Sequence, residues 1–571
     1  MRRHLISLAL GIAAIAISSP ALPQSPAQPA ISADLILQNG RLLIPGGWAT
    51  AMAVAHGTIV AIGDDVAMTP YRTSSTKVID LGGKMVMPGL HDMHVHPGGA
   101  GMQFFQCALP HDAKPAELLN IVSGCVKNAK PGDWITGRAY EAASFGKTPP
   151  NKAMLDKIAP NNPVMLNDIS GHSNWANSAA LKLAGITRDT PNPPNGIIER
   201  DAKGEPTGLL RESASNLVSR NIPPATRERH AEALKKGLDS LLAQGITAFD
   251  DALLTTTTAQ AYSDLSDKGE LKQRVRGCLF YVDQNLLKLR NYYARPRFTP
   301  SCIKMQLDGV PTDSHTAAML EPYMPLPGAK AGDEIREKGL LMVDQAKLNA
   351  LVVEFDREGL TVKFHAAGDA AVRAGLDAIA AARKANGFNH NYHNVAHNSF
   401  VNMDDIRRAK SIEATFEFSP YLLSPSPIMD DIEKAVRPDL MSRWIPIKDA
   451  LDAGAMVVPG SDWPVTTSVS PWYALETMVT RQAPGGGGKV LGPEERITLK
   501  QAVELFTIAS ARQGNFDYAT GSLETGKFAD FVVIDRNIFE VPITDVHNTK
   551  VLMTYIEGEK VYDAATAPAG N

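Results

Sequence analysis

The stretch Pro88-Gly89-Leu90-His91-Asp92-Met93-His94-Val95-His96 sets three imidazoles and a carboxylate within six residues. Read as a strand, it alternates faces: Asp92, His94 and His96 share one side, while His91 and Val95 take the other. Two imidazoles two residues apart can chelate one transition metal without bending the backbone. A polar strand terminus is the competing reading. The Pro-Gly turn before the pair and the proline after it favour a metal. Four more residues of ligating chemistry fall at or near the ends of apolar runs. Lys304 lies in Cys302-Ile303-Lys304-Met305-Gln306-Leu307-Asp308-Gly309, an odd place for a solvated lysine. His365 ends Thr361-Val362-Lys363-Phe364-His365, and His397 ends Asn394-Val395-Ala396-His397. Asp462 lies in Val458-Pro459-Gly460-Ser461-Asp462-Trp463-Pro464. Each alone reads equally well as a polar cap. Together they need one architecture that gathers strand ends.

The elements around them supply it. Helical stretches such as Arg227 to Ala243 and Gln345 to Glu358 alternate with short buried strands. The strands are expected over Val86–His96, Ile246–Asp251, Arg274–Val282, Ile303–Asp308, Leu360–His365, Asn394–His397, Ile412–Phe418 and Met456–Asp462. Eight strands with intervening helices predict an α/β fold, a (β/α)8 TIM-like barrel over 87–514, whose strand C-termini converge on one face. About 150 residues separate the first strand from the second, far more than a βα loop needs. Residues 98–228 are therefore expected to form an inserted subdomain at the mouth. Short β-rich runs separated by turns fill 32–86 and return over 515–565, which predicts a small β-sandwich assembled from both chain ends. The run Gly485-Gly486-Gly487-Gly488 reads as a mobile loop after the eighth strand.

Composition narrows the function classes. In 571 residues, 44% are hydrophobic and 21% charged, as in an ordinary globular protein. Lysine and arginine number 57 against 61 acidic residues, a formal charge of −4, which leaves no basic footprint for nucleic acid. Arg2, Arg3 and His4, the apolar run Leu5 to Ile17 and the small residues around Ser19-Pro20-Ala21 read as a cleavable secretory signal over 1–23. That run is too short for a membrane span of about 20 residues, so no stable membrane insertion is expected after cleavage. The mature chain is expected to be periplasmic or secreted, by the general export route or the twin-arginine one. Export permits disulfides. Cys107 and Cys125 could pair, and Cys278 and Cys302 fall on adjacent expected strands; buried free thiols fit both pairs equally.

Taken over nearly the whole mature chain, the sequence resembles the amidohydrolase superfamily, and more narrowly amidohydrolase family 3, which includes N-substituted formamide deformylases. The resemblance lies in the opening LILQNGRL, the PGL-D-HVH segment, Gly171-His172 with Asn177-Ser178-Ala179-Ala180-Leu181, and Pro206-Thr207-Gly208-Leu209-Leu210-Arg211-Glu212. It continues through KMQLDG, HAAGD, GSDWP and the closing Gly521-Ser522-Leu523-Glu524-Thr525-Gly526-Lys527-Phe528-Ala529-Asp530. This resemblance implies two divalent metal ions, usually zinc. His94 and His96 would hold the first and His365 and His397 the second, with Asp462 beside them. Lys304, carbamylated by CO2, would bridge the two; Glu212 is the competing bridge. Lys304 is preferred because the superfamily's carbamylated lysine sits on the fourth strand. Two departures stand out: His91 replaces an aliphatic residue, and Gly137-Arg138-Ala139-Tyr140-Glu141 stands where relatives more often carry Gly-Trp-Asp.

The implied reaction is hydrolysis of an amide-type C–N bond in a small-molecule substrate. A bound cation lowers the pKa of water from about 15.7 toward about 7, and Asp462 would shuttle the proton to the departing nitrogen. His172 would either donate to the carbonyl oxygen or tether the insert, and Asp369 would support the second metal's surroundings. Esterase or lactonase chemistry, ring deamination and a metal-bearing binding protein without turnover stay open, as does oligomeric state, a homo-oligomer included. Trp463, Tyr140 and Arg138 are expected to face the substrate. Phe104, Phe105, Trp134, Tyr140, Phe145 and Trp175 would either wall the mouth for an apolar N-substituent or form the insert's own core. Alternatively, Arg138 and Arg211 would clamp an anion.

Overall fold

Eight short strands make one sheet: β1 (Leu90–Val95), β2 (Ile246–Leu254), β3 (Arg274–Phe280), β4 (Phe298–Gln306), β5 (Thr361–Ala366), β6 (Asn394–His397), β7 (Thr415–Phe418) and β8 (Met456–Pro459). Neighbours are parallel throughout, and nearly every residue is buried, as expected when both faces are covered. Closure comes just past β8. There Val95 bridges Trp463, the Asp462 N–H donates to the His94 carbonyl at 2.6 Å, and the Ser461 N–H donates to Asp92 Oδ1 at 3.0 Å. The result is a nearly closed (β/α)8 barrel. The computed structural model describes residues 31–567 apart from 111–112, 147, 313 and 326–336, so the leader expected over 1–23 lies outside the described residues. Among the described residues no helix is long and apolar enough to cross a membrane.

Several strand boundaries differ from expectation, for local reasons. The single strand expected over Val86–His96 is two, Met85–Pro88 and β1, pivoting at Gly89, where a Cβ would fall 2.2 Å from Thr247 Oγ1. His96 lies past the end of β1 as the N-terminal cap residue of helix Pro97–Met102. That short helix packs on the long helix Arg227–Ala243 at backbone distance. A Cβ on Gly101 would fall 1.6 Å from the Ala233 carbonyl, and one on Gly237 would fall 2.1 Å from that of Pro97. Glycine on both sides is what lets His96 sit over the barrel mouth. The last strand ends at Pro459, leaving Asp462 on the loop that follows. The glycine run after it is tethered: the Gly485 N–H donates to the buried Glu476 carboxylate at 2.7 Å.

Inside the barrel, one layer is ionic where branched aliphatics are usual. Arg276 forms a bidentate pair with Asp250, Lys363 lies 3.3 Å from Asp250, and the Lys363 ammonium also reaches Glu417 and the Met93 carbonyl. All four charged residues are buried, Lys363 completely. Their formal charges cancel, which is how such a layer can be buried at all.

Between β1 and β2 the chain builds a separate six-stranded sheet from Cys107–Ala108, Ile135–Tyr140, Val164–Asp168, Ser173–Ala176, Gly196–Arg200 and Pro206–Glu212. Its two faces cover distinct apolar clusters, one around Leu118, Tyr140 and Trp175, the other around Met165, Leu181 and Leu210. Both chain ends meet in two further sheets around a shared core that includes Leu37, Met52, Phe531 and Tyr555. In one of them Met85–Pro88 pairs in parallel with Arg41–Ile44 and antiparallel with Phe531–Ile534. Cys107 is bonded to Cys125, and Cys278 on β3 to Cys302 on β4.

Candidate metal centre

Six of the residues singled out by type and spacing converge over the C-terminal ends of the barrel strands. One ligand atom from each of His94, His397 and Asp462 lies within 4.8 Å of the other two. Asp462 is the hub: its oxygens lie 3.2 Å from His96 Nε2, 3.6 Å from His94 Nε2 and 3.8 Å from His397 Nδ1. Lys304 Nζ is 3.1 Å from His94 Nε2, and the His365 and His397 rings are 4.4 Å apart between centroids. Asp462, His397 and Glu212 all hold left-handed backbone angles, with φ of 56°, 76° and 49°. Strain of this kind persists only where surrounding structure fixes it, and it clusters at functional positions.

The imidazoles are prepared as neutral donors. Burial drives the pKa values of His94, His365 and His397 well below the ordinary value. Each has one nitrogen committed to the protein. His94 Nδ1 pairs with Glu417, His365 Nε2 donates to the Gly309 carbonyl at 2.9 Å, and His397 Nδ1 lies 3.3 Å from Ser419 Oγ. His397 Nε2 is buried with no partner, an orphan in a cluster of imidazole and carboxylate donors. Such nitrogens, each oriented by a partner on the opposite side of the ring, suit a divalent transition metal. The donor set fits the group. Burial also lowers the Lys304 pKa to about 8, against the pull of Asp462 and Glu417, so a free-amine fraction exists near neutrality.

His172 and Glu212 lie beside this cluster on the inserted sheet. Their side chains are 2.9 Å apart, Thr316 Oγ1 donates to Glu212 at 2.7 Å, and the His172 ring is 4.8 Å from that of His365. Burial opposes the His172 cation, but the charge and hydrogen bond of Glu212, with Asp168 and Asp462 beyond, outweigh it and raise its pKa to about 9. That balance favours the imidazolium form of His172. His172 borders a cavity of about 870 Å³, together with Glu212, Asn167, Asn174 and Gln306.

The remaining expectations need correction. Tyr140 does not face the site: it is buried in the insert's core, 5.7 Å from the Trp175 ring. A register shift between Arg138 and Tyr140 inserts one extra residue, so the two side chains that simple alternation would place together part to opposite faces. Phe145 and Trp175 meet edge to face in that same core, Trp134 packs in the other, and Phe105 lies under Arg229. Tyr140, Phe145, Trp175 and Trp134 are the insert's own packing, whereas Phe105 also lines the cavity beside His172. Trp463 contributes its backbone to barrel closure, its carbonyl accepting the His96 N–H at 2.8 Å. Asp369 accepts the Leu320 N–H, whereas the carboxylate next to His365 is Asp308, 3.6 Å from Nε2. Arg211 is spent on Glu199 and Ser173. Sequence reasoning missed Glu417, Lys363 and Asp308. The available signal was charge at every second position of an apolar strand, as in Thr415-Phe416-Glu417-Phe418.

Comparison with known proteins agrees with this geometry. Residues 77–562 match the profile of the Amidohydrolase family. Protein LONG AFTER FAR-RED 3 of Arabidopsis thaliana is 30% identical over 93% of this chain and 92% of its own length. An N-substituted formamide deformylase of Arthrobacter pascens is 28% identical, covering 90% of this chain and 95% of its own. The fold matches the crystal structure of an uncharacterized metal-dependent hydrolase from Pyrococcus horikoshii OT3 with a TM-score of 0.71 at 24% identity, over 89% of this chain and 99% of that one.

Proposed function

This chain belongs to the amidohydrolase family, and on that premise we propose that it is an exported metal-dependent hydrolase that opens the C–N bond of an amide or N-substituted formamide. The observation that carries the reading is the convergence of His94, His397 and Asp462, with the unpartnered His397 Nε2, beside the buried Lys304. His94, His96 and Asp462 would hold one divalent ion and His365 and His397 a second, zinc being the usual metal. Lys304, carbamylated by CO2, would be the residue shared between them. Its partly neutral amine is the form that adds CO2, and Glu212 is already engaged by His172 and Thr316.

Bound cations would supply Lewis acidity and bring the pKa of water toward the neutral range. The protein's own part follows from its charges. Asp462 accepts the proton of the attacking water and returns it to the departing nitrogen, a general base turned general acid. The His172 imidazolium, held charged by Glu212, donates a hydrogen bond to the carbonyl oxygen as negative charge develops there. Glu417 fixes the His94 ring from behind. Purified protein should contain about two divalent ions per chain and should hydrolyse formamides or simple amides faster than matched esters. Turnover should be lost on chelation and regained with zinc. A metal-free protein with full activity, or esters favoured throughout, would refute the reading. Intact-mass analysis of periplasmic protein tests export and should show loss of roughly the first two dozen residues.

A further inference from the structure

The insert's sheet carries a charge that the proposed chemistry does not use. Arg138, Asn167 and Asn174 lie abreast on three adjacent strands, paired in register Arg138 to Asn167 and Asn167 to Asn174, so their side chains share one face. Asn167 and Asn174 line the 870 Å³ cavity with His172 and Glu212. The Arg138 guanidinium lies against Gly171 of the same cavity wall, where an added Cβ would fall 3.2 Å from Nη2.

None of the described residues satisfies it. Arg138 Nε is buried without a partner, and among the described residues no carboxylate comes within 4.0 Å of the guanidinium. Asp168, whose charge acts on Arg138, bonds instead to Ser170 Oγ at 2.7 Å and the Ser173 N–H at 3.0 Å. Asp168 and Asp462 act on Arg138 only through their charge. In the same row Asn174 Oδ1 is buried and unpartnered. An arginine keeps its charge and presents a planar fork that matches a carboxylate, while the neighbouring amides offer both donors and acceptors. A guanidinium left without an anion directly behind such a wall can take one from a ligand in the cavity.

We propose that Arg138, flanked by Asn167 and Asn174, anchors a carboxylate of the substrate, so that the amide cleaved at this centre is anionic and not the neutral, apolar one that an aromatic wall would have suited. The inference rests on the amide-hydrolase reading, and its test separates the two. Three N-formyl probes, of glycine, β-alanine and γ-aminobutyrate, are compared with their carboxamide counterparts, which match them in shape and lack the charge. Two quantities are read for wild type, Arg138→Gln and Arg138→Lys. One is the ratio of kcat/KM within each pair; the other is the ratio of equilibrium binding to chelator-treated protein, where neither turnover nor bound metal contributes. Ratios within a pair do not depend on how much of a variant is folded. At least one carboxylate should be favoured about 10- to 100-fold in both readouts, the scale of a charged hydrogen-bonded pair. The preference should collapse toward unity in Arg138→Gln and survive in part in Arg138→Lys. Flat ratios at all three lengths, or a preference that outlives Arg138→Gln, overturn the proposal. Hydrolysis with flat ratios would sink the anchor and keep the reaction. Charge-selective binding without any hydrolysis would do the reverse.

Discussion

Replacing Glu417 with glutamine removes one charge and hardly any volume. Its carboxylate joins His94 Nδ1, the Lys363 ammonium and Asn394 Nδ2, the last at 3.2 Å. Arg276, Asp250, Lys363 and Glu417 sum to zero, so Glu417→Gln leaves a net positive charge at a place where Lys363 has no solvent exposure at all. Asp250 cannot absorb it, being already bidentate with Arg276. Breaking one side of a buried pair costs about 3–5 kcal/mol. Against a total stability of about 5–15 kcal/mol, that should lower the denaturant midpoint by a large fraction. A second loss is separable from the first. With no anion behind its Nδ1, the His94 ring should hold metal about 10- to 100-fold more weakly, measured by chelator competition. The double variant Glu417→Leu with Lys363→Met restores neutrality with apolar atoms, so it should recover most of the stability and none of the metal affinity. The reasoning fails if Glu417→Gln unfolds at the wild-type midpoint, or if the double variant is no more stable than Glu417→Gln.

Asp462→Asn should keep its metal and lose about 10²- to 10⁴-fold in kcat, because asparagine cannot carry the proton; metal analysis alongside kinetics checks both halves. Lys304→Ala should bind fewer than two ions and recover activity partly with added short carboxylic acids, while Glu212→Gln should keep both ions; the reverse pattern would make Glu212 the bridge. The His172 pKa is raised from 6.5 to about 9 in the folded protein. Its stabilising contribution is complete below pH 6.5 and is lost as pH rises through 9, about 3 kcal/mol in all. Wild-type stability and kcat/KM should therefore both decline toward pH 9, and His172→Gln should flatten the decline in stability measured by denaturant titration.

The candidate ligands were legible because His365, His397 and Asp462 stand at or just past the end of an apolar run, His94 and His96 form a spaced pair, and Lys304 is a lone charge between apolar neighbours. Gathering them required only that strand ends converge, and the count of eight strands supplied that. The interior charges were hidden by the same alternation. Glu417 between two phenylalanines and Lys363 between Val362 and Phe364 read as the wet side of a half-exposed strand, and only closure of the sheet turns that side inward. Tyr140 was misread for a smaller reason. A one-residue shift at 139 reverses every face after it, and nothing in the composition of Arg138-Ala139-Tyr140 marks the spot.

The strand Met85–Pro88 that leads into β1 is flanked by Arg41–Ile44 on one side and Phe531–Ile534 on the other. During synthesis, the seat of the first barrel strand therefore waits for Phe531–Ile534, which are made long after it. Until they arrive, its backbone presents an open, apolar edge, the kind that recruits other chains. A deletion of the final strands, Phe531–Ile534, Val551–Ile556 and Glu559–Asp563, touches no ligand, yet it would strip half of that six-stranded sheet. Loss of the tail should thus be felt as aggregation of a chain whose catalytic residues are all intact.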